Sequence, residues 1–121
     1  MAGRDAARVR LRPAGRGDPH GRHGPARGDP DGLRSVTGVT AVDVRLEPRD
    51  AAVRPPPAVT VSAVLPTAGH AVPGLPAVRV SGDVHHVDGL PLMMPGRWEF
   101  LVTVDGDGPR ERLVFPLTVS P

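Results

Sequence analysis

Cysteine is absent from the 121-residue chain, which excludes disulfides, thiolate metal sites and cysteine nucleophiles and leaves the redox compartment open. Lysine and tyrosine are absent too, and aromatic residues are scarce: one tryptophan and two phenylalanines. All 15 cationic side chains are therefore arginines. No apolar run approaches the roughly 18 residues that a membrane span requires, so no transmembrane segment is expected. Met1 to Arg12 is charged and no apolar stretch of the kind a secretory signal needs comes after it. The residues alone thus show no signal peptide and leave the localisation unknown. Catalytic signatures are missing as well: there is no Gly-x-Ser-x-Gly elbow, Walker loop, His-Glu-x-x-His or Gly-x-Gly-x-x-Gly. The carboxylates Asp105 and Asp107 stand in Asp105-Gly106-Asp107-Gly108-Pro109, a turn sequence in which Asp and Gly serve the backbone. The chain reads as a non-enzyme.

What is present divides unevenly. Residues 1–34 hold eight Arg against four Asp, for a charge of +4, while residues 35–121 hold seven Arg against nine Asp or Glu, for −2. The first segment also has seven Gly, four Pro and almost nothing apolar between Leu11 and Leu33, too little to offset the entropy of ordering. This composition predicts a disordered Arg/Gly/Pro-rich tail over 1–34 and one small domain over 35–121. A Gly/Arg arm that tracks phosphates is the functional alternative. The interrupting aspartates and the lack of a stacking aromatic argue against it, so no specific nucleic-acid partner is expected. His20 and His23, three apart on a glycine-rich segment, make at best an adventitious metal site.

From Val36 onward the apolar residues alternate. Val42, Val44 and Leu46 oppose Asp43, Arg45 and Glu47, the period of a strand with one wet face. Glu47 to Asp50 marks a turn, and Pro55-Pro56-Pro57 a connection or edge. Ala58–Leu65 is a second strand, with Val59, Val61, Ala63 and Leu65 inward. Pro66–Pro76, rich in Pro and Gly, reads as a loop carrying His70. Short strands follow at Val78 and Val80 and at Val84 to Val87, split by a Ser81-Gly82-Asp83 turn. Trp98, Phe100, Val102 and Val104 then share one face of a strand that makes a hairpin with Leu113, Phe115, Leu117 and Val119. Trp98 is the expected centre of the core, since one indole supplies an unusual share of the area available to bury. Pro116 predicts a free edge on the last strand. The fold expected is all-β: a small antiparallel immunoglobulin-like sandwich of about six or seven strands.

Met94-Pro95-Gly96-Arg97-Trp98, preceded by Gly89-Leu90 and, further upstream, by Leu65-Pro66-Thr67-Ala68-Gly69-His70, resembles the YtkA-like/FixH-like family of bacterial domains over about residues 42–119. The resemblance implies the same sandwich fold and a periplasmic or extracellular location. It also implies an accessory role toward membrane or periplasmic protein partners, in copper handling or respiratory-oxidase assembly. The soft donors of this chain are His70, His85, His86, Met93 and Met94, and imidazole with thioether suits copper better than zinc or magnesium. His85 and His86 are adjacent and point to opposite faces of a strand, so only one can join a given site. The site expected combines His70, one of these two, and one of Met93 or Met94. The competing reading is a metal-free interaction domain, in which Met94 caps the core beside Trp98, Met93 fills a gap and the histidines are surface residues.

Overall fold

The period-two patterns read from the sequence appear in the computed structural model as strands packed face to face in two sheets. The structure describes residues 6–14, 32–47, 58–106 and 109–121. Nine strands lie among them: β1 (Ala6–Pro13), β2 (Leu33–Val36), β3 (Gly38–Glu47), β4 (Ala58–Leu65), β5 (His70–Pro76), β6 (Val78–Ser81), β7 (Val84–Leu92), β8 (Gly96–Asp105) and β9 (Glu111–Ser120). One sheet has four strands in the order β1-β3-β7-β6, the other five in the order β2-β9-β8-β4-β5. No helix among the described residues is long and apolar enough to cross a membrane.

The core lies between the sheets. Val42, Val44 and Leu46 from β3 and Leu90 and Leu92 from β7 face Val59, Val61, Ala63 and Leu65 from β4 and Trp98, Phe100 and Val102 from β8. Trp98 is 2% exposed, and Phe100 meets Phe115 across the β8–β9 hairpin with ring centroids 6.2 Å apart. The all-β sandwich, the inward set of β4, the hairpin and the buried tryptophan are as the alternation predicts.

Three expectations are corrected. The boundary at residue 35 falls too late, because Ala6–Pro13 is a strand paired antiparallel with β3, and Leu33 and Arg34 begin β2. Val9 of β1 is buried in the core with Ala7 and Leu11 packed beside it, while Arg8, Arg10 and Arg12 face outward. Nine strands rather than six or seven lie among the described residues, and β2 runs parallel to β9, so the sandwich is not purely antiparallel. The Pro66–Pro76 loop is in fact a 3-10 turn at Pro66–Ala68 followed by β5. Pro73 and Pro76 are tolerated there because β5 is an edge strand, where a missing amide donor costs no ladder bond.

Pro116 stands where the β2–β9 ladder begins, with Gly32 packed against its carbonyl. Among the described residues β2 covers β9 only along Leu117–Ser120. The remaining parts of the predicted tail, with His20 and His23, the Pro48–Asp50 turn, Pro55 to Pro57, and Asp107 with Gly108 lie outside the described residues.

Candidate functional site

The corner between β7 and β8 is shaped by Trp98. Gly96 sits at φ 146°, a conformation that side-chain-bearing residues rarely adopt, and a Cβ there would lie 3.0 Å from Leu65 Cδ1. This bend brings the Met94 carbonyl over the indole, where it accepts a hydrogen bond from Trp98 Nε1 at 3.0 Å. From the other side the β4–β5 hairpin supplies His70. Gly69, in the left-handed conformation at φ 62°, closes the 3-10 turn by donating its N–H to the Pro66 carbonyl at 3.1 Å. His70 is thereby paired with Leu65, and its ring stands edge-on to Trp98, centroids 5.7 Å apart at 85°. Met93 and Met94 are 59% and 39% exposed. The His70 ring and the Met94 backbone carbonyl thus both contact the buried indole, and the two methionines are solvent-accessible.

The other two histidines lie elsewhere. His85 faces inward and is buried, and His86 faces out at the opposite end of β7 from Met93. Met93 is seven residue steps along extended chain from His86, roughly 23 Å at the rise of a strand, whereas ligands of one ion all lie within about 2.5 Å of it. The expected site of His70, one of His85 or His86, and one methionine therefore does not assemble. Of that set, His70 and Met94 both contact the Trp98 indole, the first through its ring and the second through its backbone carbonyl.

His86 has a different role, which the sequence did not reveal. Its Nδ1 lies 2.6 Å from Asp43 Oδ1 and its Nε2 lies 2.8 Å from Asp88 Oδ1. Two carboxylates on the two ring nitrogens are both satisfied only when both nitrogens carry protons. The hydrogen bond to Asp43 accordingly pushes the His86 pKa up, against a smaller opposing effect of burial, and the bond to Asp88 adds to the rise. A ring that donates from both nitrogens has no lone pair for a metal. Arg12 also donates to Asp43, completing a line Arg12–Asp43–His86–Asp88 across β1, β3 and β7. Burial pushes the Asp43 carboxyl up, but the bonds from Arg12 and His86 outweigh it and hold the pKa below the usual carboxylate value. Among the described residues no group of three or more His, Cys, Asp or Glu is placed to hold a metal.

Beyond His86, at the β6 edge, is an apolar groove of about 390 Å³ lined by Leu75, Pro76, Val78, Val80 and Val87, with His86, Asp88 and Gly89. Val78 and Val80 are 65% and 55% exposed. Among the described residues the edge strands β1 and β5 carry prolines, Pro13 on the first and Pro73 and Pro76 on the second, which blunt pairing. No family model, curated protein or solved structure matches the chain.

Proposed function

We propose that this chain is a non-enzymatic binding module whose β7–β8 corner takes up Cu(I) through His70, Met93 and Met94. The observation that carries the reading is that the His70 ring and the Met94 carbonyl both engage the Trp98 indole, from a hairpin and an inter-sheet corner distant in sequence. One imidazole nitrogen and two thioether sulfurs are a soft donor set that suits Cu(I). The resemblance to YtkA-like/FixH-like domains supports an extracytoplasmic accessory role in copper handling or respiratory-oxidase assembly. An anaerobic Cu(I) competition titration tests the site, in a His20→Asn, His23→Asn background. One equivalent should bind and quench the emission of Trp98, the sole tryptophan. His70→Ala with Met94→Leu should lose both signals and keep the fold, because Met→Leu conserves volume and costs under about 1.5 kcal/mol. If a competitor strips copper from both proteins equally, the reading is wrong.

The exposed valines of the β6 edge favour a second reading, a metal-free interaction domain that adds an extended partner segment beside Val78 and Val80. In that case the titration is silent, and charging the edge by Val78→Lys is the change that weakens association.

A further inference from the structure

The outward positions of the five-stranded sheet are not those of a wet face. A sheet with one face in water alternates apolar with polar residues, whereas a sheet covered on both faces carries unbroken apolar runs. Three of its strands carry such runs: Ala63-Val64-Leu65 in β4, Phe100-Leu101-Val102 in β8 and Leu113 to Leu117 in β9. The residues on either side of Val64, Leu101 and Val114 belong to the core or pack against it, so these three face out. The register sets Leu101 directly beside Val114, and Val64 beside Glu99, diagonal to Leu101. Val114 is 55% exposed. Single exposed aliphatics need no explanation, but these stand together at the middle of the face. The other sheet differs, since its outer face carries the bonded line of Arg12, Asp43, His86 and Asp88.

The charges around this patch complement themselves. Those on outward positions are Arg97, Glu99 and Asp105 of β8, Arg112 of β9 and Arg34 of β2, and β4 and β5 add none. Asp105 pairs with Arg110 of the same hairpin at 3.4 Å, while among the described residues Glu99 and Arg112 hold no ion pair. Arg97 and Glu99 precede Leu101 on β8, Thr103 and Asp105 follow it at the same spacings, and Arg112 lies directly beside Thr103. A two-fold axis crossing β8 at Leu101 lays the strand antiparallel on its copy. Glu99 then faces Thr103 of the second copy and its neighbour Arg112, Arg97 faces Asp105, and the Leu101 and Val114 row meets itself. Arg34 stays at the margin. A partner of one charge sign would leave either Glu99 or the arginines unmatched, whereas a second copy matches both. Strands about 4.8 Å apart rising about 3.4 Å per residue give this sheet on the order of 600 Å² in projection. Side-chain relief brings that near the about 800 Å² per partner of a stable interface, and sheets stack with strands within about 30° of each other.

We propose that the outer face of the β2-β9-β8-β4-β5 sheet is the interface of a two-fold dimer of this chain, centred on Leu101, with Glu99 of each copy paired to Arg112 of the other. The inference uses neither the copper donors nor the β6 edge and is independent of both readings above. Sedimentation equilibrium of the full chain should show dimers below about 100 µM, since interfaces of this size bind with micromolar Kd or tighter.

Glu99→Arg turns both Glu99–Arg112 contacts into like-charge contacts and should weaken the dimer at least about tenfold. Arg112→Glu should do the same. Both side chains are exposed, so each variant should melt with the unaltered chain. Mixed in equal amounts, the two variants restore both contacts with each other and should associate about as tightly as the unaltered chain. Val78→Lys, on the other sheet, should leave the dimer intact. A monomeric unaltered chain at about 100 µM, a dimer insensitive to Glu99→Arg, a variant mixture that stays monomeric, or loss of the dimer in Val78→Lys would overturn the proposal.

Discussion

Val9→Ala tests whether the arginine-rich first segment belongs to the sandwich. Val9 is one of the core residues, 6% exposed, opposite Val44 in the β1–β3 ladder. The substitution removes two methyl groups, about 1.6 kcal/mol of transfer free energy at about 0.8 kcal/mol each. The space they leave adds to this, for about 2 to 3 kcal/mol in total. In a domain of this size 1 kcal/mol moves the melting temperature by about 4 °C, so a drop of about 8 to 12 °C is expected. Arg8→Ala, one residue away on the wet face, should change stability by less than about 0.5 kcal/mol. The loss has a ceiling, since β1 can undock and leave the remaining strands folded. Deletion of residues 1–14 measures that ceiling, and Val9→Asp should reach it without exceeding it. Chemical denaturation followed by Trp98 fluorescence gives all four values. If Val9→Ala melts with the unaltered chain, β1 contributes nothing and residues 1–34 behave as the disordered tail their composition predicts.

Stability should peak between about pH 4 and pH 6.5. The pKa of His86 is raised on folding, so its contribution is complete below its ordinary value of 6.5 and is lost as pH climbs through the folded value. The pKa of Asp43 is lowered, so its contribution is present above 3.8 and is lost as pH falls through the folded value. Melting curves of His86→Gln should lack the alkaline decline, and an unchanged decline would place its origin in another group. Trp98→Ala should cost about 3 to 5 kcal/mol and Arg97→Ala under about 0.5 kcal/mol. Emission from the folded chain at the same wavelength as from the unfolded chain would contradict a buried indole. Gly96→Ala should cost about 1 to 3 kcal/mol for its backbone conformation and shift the Trp98 signal by displacing Leu65. A neutral result in denaturation would show that the corner relaxes freely.

The alternation of apolar and polar residues determined much of this molecule without reference to tertiary contacts. Val59, Val61, Ala63 and Leu65 could only face one way, as could Trp98, Phe100, Val102 and Val104, because a strand with period two has one face to bury. The same signal was present in Ala7, Val9 and Leu11 against Arg8, Arg10 and Arg12, but it lay in a segment whose overall composition opposes order. Its resolution needed β3, more than 25 residues further on, to supply the ladder and the core contact.

Proline and glycine hid β5 for a related reason. They are poor in a central strand and acceptable at an edge, and only the assembled sheet says which strand is at the edge. The histidines show the limit most directly. Adjacency on a strand established that His85 and His86 point to opposite faces. The cross-strand register decided that His86 meets Asp43 and that His70, not either of them, stands beside Trp98. Local pattern fixes which way a side chain points because that depends on its own backbone. What it meets depends on strand pairings between distant segments, and those are settled only when both sheets close over a common core.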